Sequence, residues 1–183
     1  MWYKLLLILF ALAAVTNIKA GKRPFDVELH SIQCRQYNSR LNKLSCEMTK
    51  VATSRYALDY KFNLNGDLDK SAEMQITVKV KFSNNNKIIT FMDFKMKVCD
   101  ILNEKISTLV IKEMLKELKR GSNIPLACPI KGDSDYGINN FTFSDSFFPP
   151  YTPNIYYNFT LDVFENNCLI ADLFIAGSTI RRS

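Results

Sequence analysis

Apolar side chains recur at every second position along most of this chain, and a period of two is the spacing of a half-buried β-strand. Phe25, Val27 and Leu29 alternate with Asp26, Glu28 and His30. Tyr56, Leu58, Tyr60, Phe62 and Leu64 alternate with Ala57, Asp59, Lys61 and Asn63, and Asn65-Gly66 then offers the positive φ angles of a tight turn. Met74, Ile76, Val78, Val80 and Phe82 alternate with polar residues as far as the Asn84-Asn85-Asn86 turn. Met92, Phe94, Met96 and Val98 alternate with Asp93, Lys95 and Lys97, and Tyr157, Phe159, Leu161 and Val163 with Asn158, Thr160 and Asp162. Residues 136–143 read as a strand of mixed character, and a last apolar strand runs from Cys168 to Ala176. Strands with one apolar face pair antiparallel and pack face to face. The expected fold is mainly β, a two-sheet antiparallel sandwich or cup.

One segment breaks the rhythm. Residues 100–120 hold no Pro or Gly, and Val110, Ile111, Met114, Leu115 and Leu118 share one face of a 3.6-residue helix. Lys105, Lys112, Lys116 and Lys119 share the other, and Gly121 is placed as a C-terminal cap. A single amphipathic helix packed on the sandwich is expected.

The first residues set the compartment. Lys4 precedes an uncharged run from Leu5 to Val15, and small Ala20 follows, the three parts of a secretory signal. The run is too short for a membrane span, which needs about 20 residues. Cleavage near Ala20 would leave residues 21–183 as a single soluble domain, large enough for one core. The net charge, +6, falls by two with Lys4 and Lys19, and the remaining charges form no basic block, so no nucleic-acid partner is expected. Five cysteines lack CxxC spacing, which points to disulfides in an oxidising compartment with one cysteine left over. Asn140-Phe-Thr142 and Asn158-Phe-Thr160 are glycosylation acceptors in such a compartment.

The chain offers little for catalysis. His30 is the single histidine, and it falls on the polar side of its strand. No GxSxG, HExxH or glycine-rich phosphate loop occurs. The reading is a binder rather than an enzyme, with no cofactor and no metal; a secreted hydrolase on an unfamiliar scaffold is the weaker alternative. The inward-facing set is large and soft: Tyr60, Phe62, Val78, Val80, Met92, Phe94, Met96 and Phe159. The pattern alone fits both a filled core and a hollow one.

A longer set of motifs runs from Val98-Cys99-Asp100-Ile101-Leu102 through Ser122-Asn123-Ile124-Pro125-Leu126-Ala127-Cys128-Pro129-Ile130 and Tyr136-Gly137-Ile138-Asn139-Asn140 to Phe148-Pro149-Pro150-Tyr151-Thr152-Pro153. This order resembles insect secreted proteins related to the ML lipid-recognition superfamily, in the ganglioside-activator-like group that includes the chemosensory A and B proteins. The resemblance implies two sheets that part around an apolar ligand, such as a lipid, a fatty acid or a hydrocarbon pheromone. It carries no catalytic residues. The eight inward residues above are then the expected ligand wall, and the aromatics at 147–151 its rim, in contact with ligand or membrane. A monomer is expected, with a receptor or hydrolase as an alternative partner to which lipid is presented.

Cys34 and Cys46 sit where that family has its first two cysteines. Cys99–Cys128 is expected to tie the helix start to the following loop, and Cys34–Cys46 to link the first two strands. Cys168 departs from the family's four; it is expected as a buried free thiol, with Cys34–Cys168 as the alternative pairing.

Overall fold

The structure, a computed structural model, describes residues 23–83, 87–103 and 109–182. The expected signal peptide, the Asn84–Asn86 turn and Lys105 lie outside the described residues, as do the side chains of Val110, Ile111 and Met114. The strands are β1 (Phe25–Gln36), β2 (Leu41–Ala52), β3 (Arg55–Leu64), β4 (Glu73–Phe82), β5 (Ile88–Lys97), β6 (Asp135–Ser144), β7 (Ile155–Glu165) and β8 (Cys168–Arg181). The helices are α1 (Val98–Leu102) and α2 (Leu109–Gly121). The order β1-β8-β7-β4-β5 makes a five-stranded sheet and β2-β3-β6 a three-stranded one, both antiparallel.

The smaller sheet leaves part of the larger one to be covered by helix. Ile101 of α1 and Leu115 of α2 pack with Ile76 of β4, and Met92, Phe94 and Met96 of β5 pack against them. The single helix expected over 100–120 is therefore divided: α1 ends at Leu102, with Asn103 as its C-cap. On α2 Leu115 is buried, while Lys112, Lys116 and Lys119 are exposed. Gly121 is the last helical residue rather than a left-handed cap. A Cβ there would stand 2.2 Å from the Asn139 carbonyl oxygen of β6, so glycine is required by close approach.

Both expected disulfides are present, Cys34–Cys46 and Cys99–Cys128. The first joins the edge strands β1 and β2 of the two sheets; the second fastens α1 to the loop ahead of β6. Cys168 is free, but exposed rather than buried. It follows Asn166 and Asn167, whose φ angles of 51° and 61° form the tight β7–β8 turn, and so it stands at a hairpin tip in solvent.

Arg40 ties three loops together. Its guanidinium meets Glu165 at the end of β7 and donates to the carbonyls of Asn65, Gly66 and Asp67. His30 lies at a register shift in β1, with Nε2 2.9 Å from Ser178 Oγ.

The outer face of the larger sheet sets two carboxylates side by side, Asp162 of β7 directly opposite Asp172 of β8. Burial opposes the Asp172 charge, but Arg35 at 2.6 Å and the Tyr37 hydroxyl at 2.7 Å outweigh it and hold its pKa below the usual range. Asp162 is on the other side of that balance: burial, then the Asp172 charge, raise its pKa, and the Arg35 charge offsets only part of the rise. A carboxyl whose folded pKa is raised weakens the fold once ionised, so stability falls as pH rises through that pKa. Asp162→Asn is therefore expected to stabilise the protein at pH 7 by roughly 0.2–1 kcal/mol, the range of a cross-strand pair on an open face. The gain should vanish below the ordinary aspartate pKa of about 3.9. Urea unfolding at pH 7 and at pH 3 checks this; a loss at pH 7, or a gain that persists at pH 3, contradicts it.

Candidate functional site: an apolar cavity between the sheets

The inner faces of the two sheets do not meet everywhere. Between them lies a cavity of about 740 Å³. Protein interiors are close-packed, with few voids larger than a water molecule, whereas ligand pockets run to roughly 300–1,000 Å³. β4 supplies Met74, Ile76, Val78, Val80 and Phe82, and β7 supplies Tyr157, Phe159, Leu161 and Val163. β3 faces them with Leu58, Tyr60, Phe62 and Leu64, and the helices close one side with Ile101, Leu115 and Leu118.

Of the residues expected to form a ligand wall, Tyr60, Phe62, Val78, Val80, Met92 and Phe159 line this cavity. Phe94 and Met96 do not; they pack with Ile76, Ile101 and Leu115 where the helices cover the sheet. The reason is the asymmetry of the sheets. The inner face of β5 is partly roofed by helix, so the same alternation that points Met92 into the cavity points Phe94 and Met96 into a packed cluster. Sequence reasoning missed the contribution of β6, whose Ile138, Phe141 and Phe143 line the cavity. The register shifts between Tyr60↔Ile138 and Leu58↔Phe141, and Asn140 has a φ of 54°. This bulge reverses the phase of alternation, and the Asn139-Asn140 pair was its one visible signal. A second shift in β5, opposite Val78 and Lys79, brings Phe91 to the cavity edge.

The mouth is marked by the lining residues that are also exposed: Phe91, Pro149, Pro150, Tyr151 and Pro153. Tyr151 is 89% exposed, and Ile88 and Ile89 extend the apolar surface along β5. Phe147 and Phe148 also line the cavity, as expected, but they are half-buried rather than exposed. Phe147 stacks on Phe143 at 5.3 Å, and Phe148 meets Tyr157 at 5.1 Å and Phe25 at 6.3 Å. They anchor the proline loop, so its exposed tip is Pro149-Pro150-Tyr151.

Polar groups are sparse in the cavity. Burial raises the pKa values of the Tyr60 and Tyr157 phenols, which stay protonated. Asp59 touches the cavity edge, but its Oδ1 accepts from the Asn140 backbone N–H at 2.8 Å, and with Ser45, Glu47, Lys61 and Asn139 it also borders a separate polar hollow. Asn140 and Asn158 are both exposed, Asn158 on the outer face of β7. Among the described residues no group of three or more His, Cys, Asp or Glu side chains could hold a metal, and no helix is long and apolar enough to cross a membrane.

No curated protein matches this sequence. A crystal structure of a protein from Archaeoglobus fulgidus is similar to it over 78% of this chain and 98% of that chain, at 6% identity and a TM-score of 0.22. Residues 73–159, which build β4, β5, both helices, β6, the proline loop and the start of β7, match a family described as protein of unknown function (DUF1091).

Proposed function

We propose that this chain is a secreted, non-catalytic binder that carries a lipid or another small hydrophobic molecule between its sheets. The observation that carries this reading is the cavity of about 740 Å³. A core this open forfeits the dispersion contacts that normally hold a sandwich together, and an apolar ligand would restore them. Two disulfides support an oxidising compartment, and the exposed Asn140 and Asn158 sequons support glycosylation there. The motifs between Val98 and Pro153 resemble those of insect chemosensory proteins, which supports a semiochemical as the ligand. A second reading, presentation of lipid to a receptor or hydrolase, is supported by exposed Phe91 and Tyr151 at the mouth and Ile88 and Ile89 beside it, since exposed apolar patches mark sites of contact with proteins or membranes.

Native mass spectrometry of the protein purified from a eukaryotic secretory host tests the reading. The wild type is expected to retain a lipid-sized adduct. Val78→Trp, on the cavity wall, should fold normally and emerge empty. In a filled core the same substitution would overpack and cost roughly 1–3 kcal/mol. An empty wild type that takes up no lipid, together with a destabilised Val78→Trp, would refute the reading.

A further inference from the structure

The cavity has space for a ligand but no cation to meet one, and the charged residue at its edge, Asp59, is an acid. Among the described residues that line it there is no Lys, Arg or His. An ionised carboxylate or phosphate drawn inside would lose its water and gain no cation, a combination that buried charges avoid. The exposed lining residues of the mouth, Phe91, Pro149, Pro150, Tyr151 and Pro153, are uncharged.

One polar group on the wall lacks a partner. Tyr157 is 3% exposed, and its hydroxyl is the buried side-chain polar atom with no hydrogen bond among the described residues. It lies over Gly177 on the inner face of the large sheet, where a Cβ at 177 would stand 2.4 Å from it. Its ring packs against Phe148, just inside the proline loop. A buried, unpaired hydroxyl costs free energy, and an acceptor brought by a ligand removes that cost.

We infer that the cavity takes an uncharged long-chain lipid bearing one acceptor oxygen — an alcohol, aldehyde or ester — with that oxygen at the Tyr157 hydroxyl and the chain along the apolar walls. The fatty acid carboxylate and the phospholipid of the same chain length are rejected. This rests on the reading of the cavity as a lipid site and names the class of lipid.

The test is displacement of a fluorescent, uncharged lipid probe from the delipidated protein at about pH 8. The competitors share one sixteen-carbon chain: the hydrocarbon, the alcohol, the methyl ester, the carboxylate and the lysophospholipid. The alcohol and ester should compete at least about tenfold better than the carboxylate and the lysophospholipid, given the cost of an unpaired buried ion. Tyr157→Phe should weaken the alcohol and ester by roughly 2–10-fold, the effect of one neutral hydrogen bond, and leave the hydrocarbon unchanged. The ratio of alcohol to hydrocarbon within each variant cancels any general change in the cavity. A carboxylate that competes as well as the alcohol overturns the inference, and so does an alcohol-to-hydrocarbon ratio unaltered by Tyr157→Phe. If the probe does not bind and no member of the series is taken up, the binder reading itself falls.

Discussion

Paired replacement of Cys99 and Cys128 by serine is expected to lower stability by about 3–4 kcal/mol, the chain-entropy value for a closed loop of roughly 30 residues. In a domain of this size that is a fall in Tm of about 10 °C. The bridge closes a sequence separation of 29 and fastens α1, part of the helical wall, to the loop that leads into β6. Its loss should therefore also release the ligand. Cys34–Cys46 closes a separation of 12, and its removal should cost about 3 kcal/mol while ligand binding survives at temperatures where the fold persists. Thermal unfolding with and without a lipid probe separates the two. Equal loss of binding in both variants would show that the helical wall does not depend on its own bridge.

Gly121→Ala should destabilise the protein by about 1–3 kcal/mol, the usual cost of overpacking. The direction is the informative part, because alanine inside an ordinary helix is better than glycine by roughly 0.5–1 kcal/mol. Here the added carbon would meet the Asn139 carbonyl at 2.2 Å, and backbone cannot rotate aside. The contact belongs to a seam along which the helix end is fixed to β6. Glu117 accepts from the Thr142 backbone N–H, Arg120 donates to the Thr142 hydroxyl at 2.8 Å, and Asn123 Oδ1 accepts from the Gly137 N–H at 2.7 Å. Displacing this seam moves Leu115 and Leu118 of the cavity wall. Guanidinium unfolding of Gly121→Ala is the measurement; a stabilised variant would mean that the helix end is free to shift.

Much of this architecture was legible in the chain because alternation survives wherever a strand has one wet face. β4 and β7 keep their phase from end to end, and their inward residues are the cavity wall. The expectation failed where geometry intervened between pattern and position. Phe94 and Met96 obey the alternation of Met92, yet a helix roofs them, and no local signal says where the smaller sheet stops. β6 changes phase at Asn140, so Phe141 and Phe143 could not be placed by counting in twos. β2 carries little burial beyond Leu41, as an edge strand with solvent on most of its length, and its apolar pattern is correspondingly faint. Gly121 read as a stop signal because glycine is common past helix ends; only the neighbouring strand shows that the missing side chain was what mattered. The emptiness of the core was illegible, since a cavity is lined by the same residues that would fill it.

The pairing of β1 with β8 has a consequence in time. Phe25 lies opposite Arg181, and the Arg182 N–H donates to the Pro24 carbonyl at 2.9 Å, so the earliest described strand is completed by the latest. The β2–β3, β4–β5 and β7–β8 hairpins close between near neighbours in sequence, whereas β1 must wait until β8 has left the ribosome. During that interval Phe25, Val27 and Leu29, all deeply buried in the finished protein, have no sheet to enter. Pairings this distant are slow and leave apolar strand edges open to other chains. Early termination within β7 would thus strand the opening segment of the chain as well as its end, and a chaperone that holds β1 would act before any ligand could.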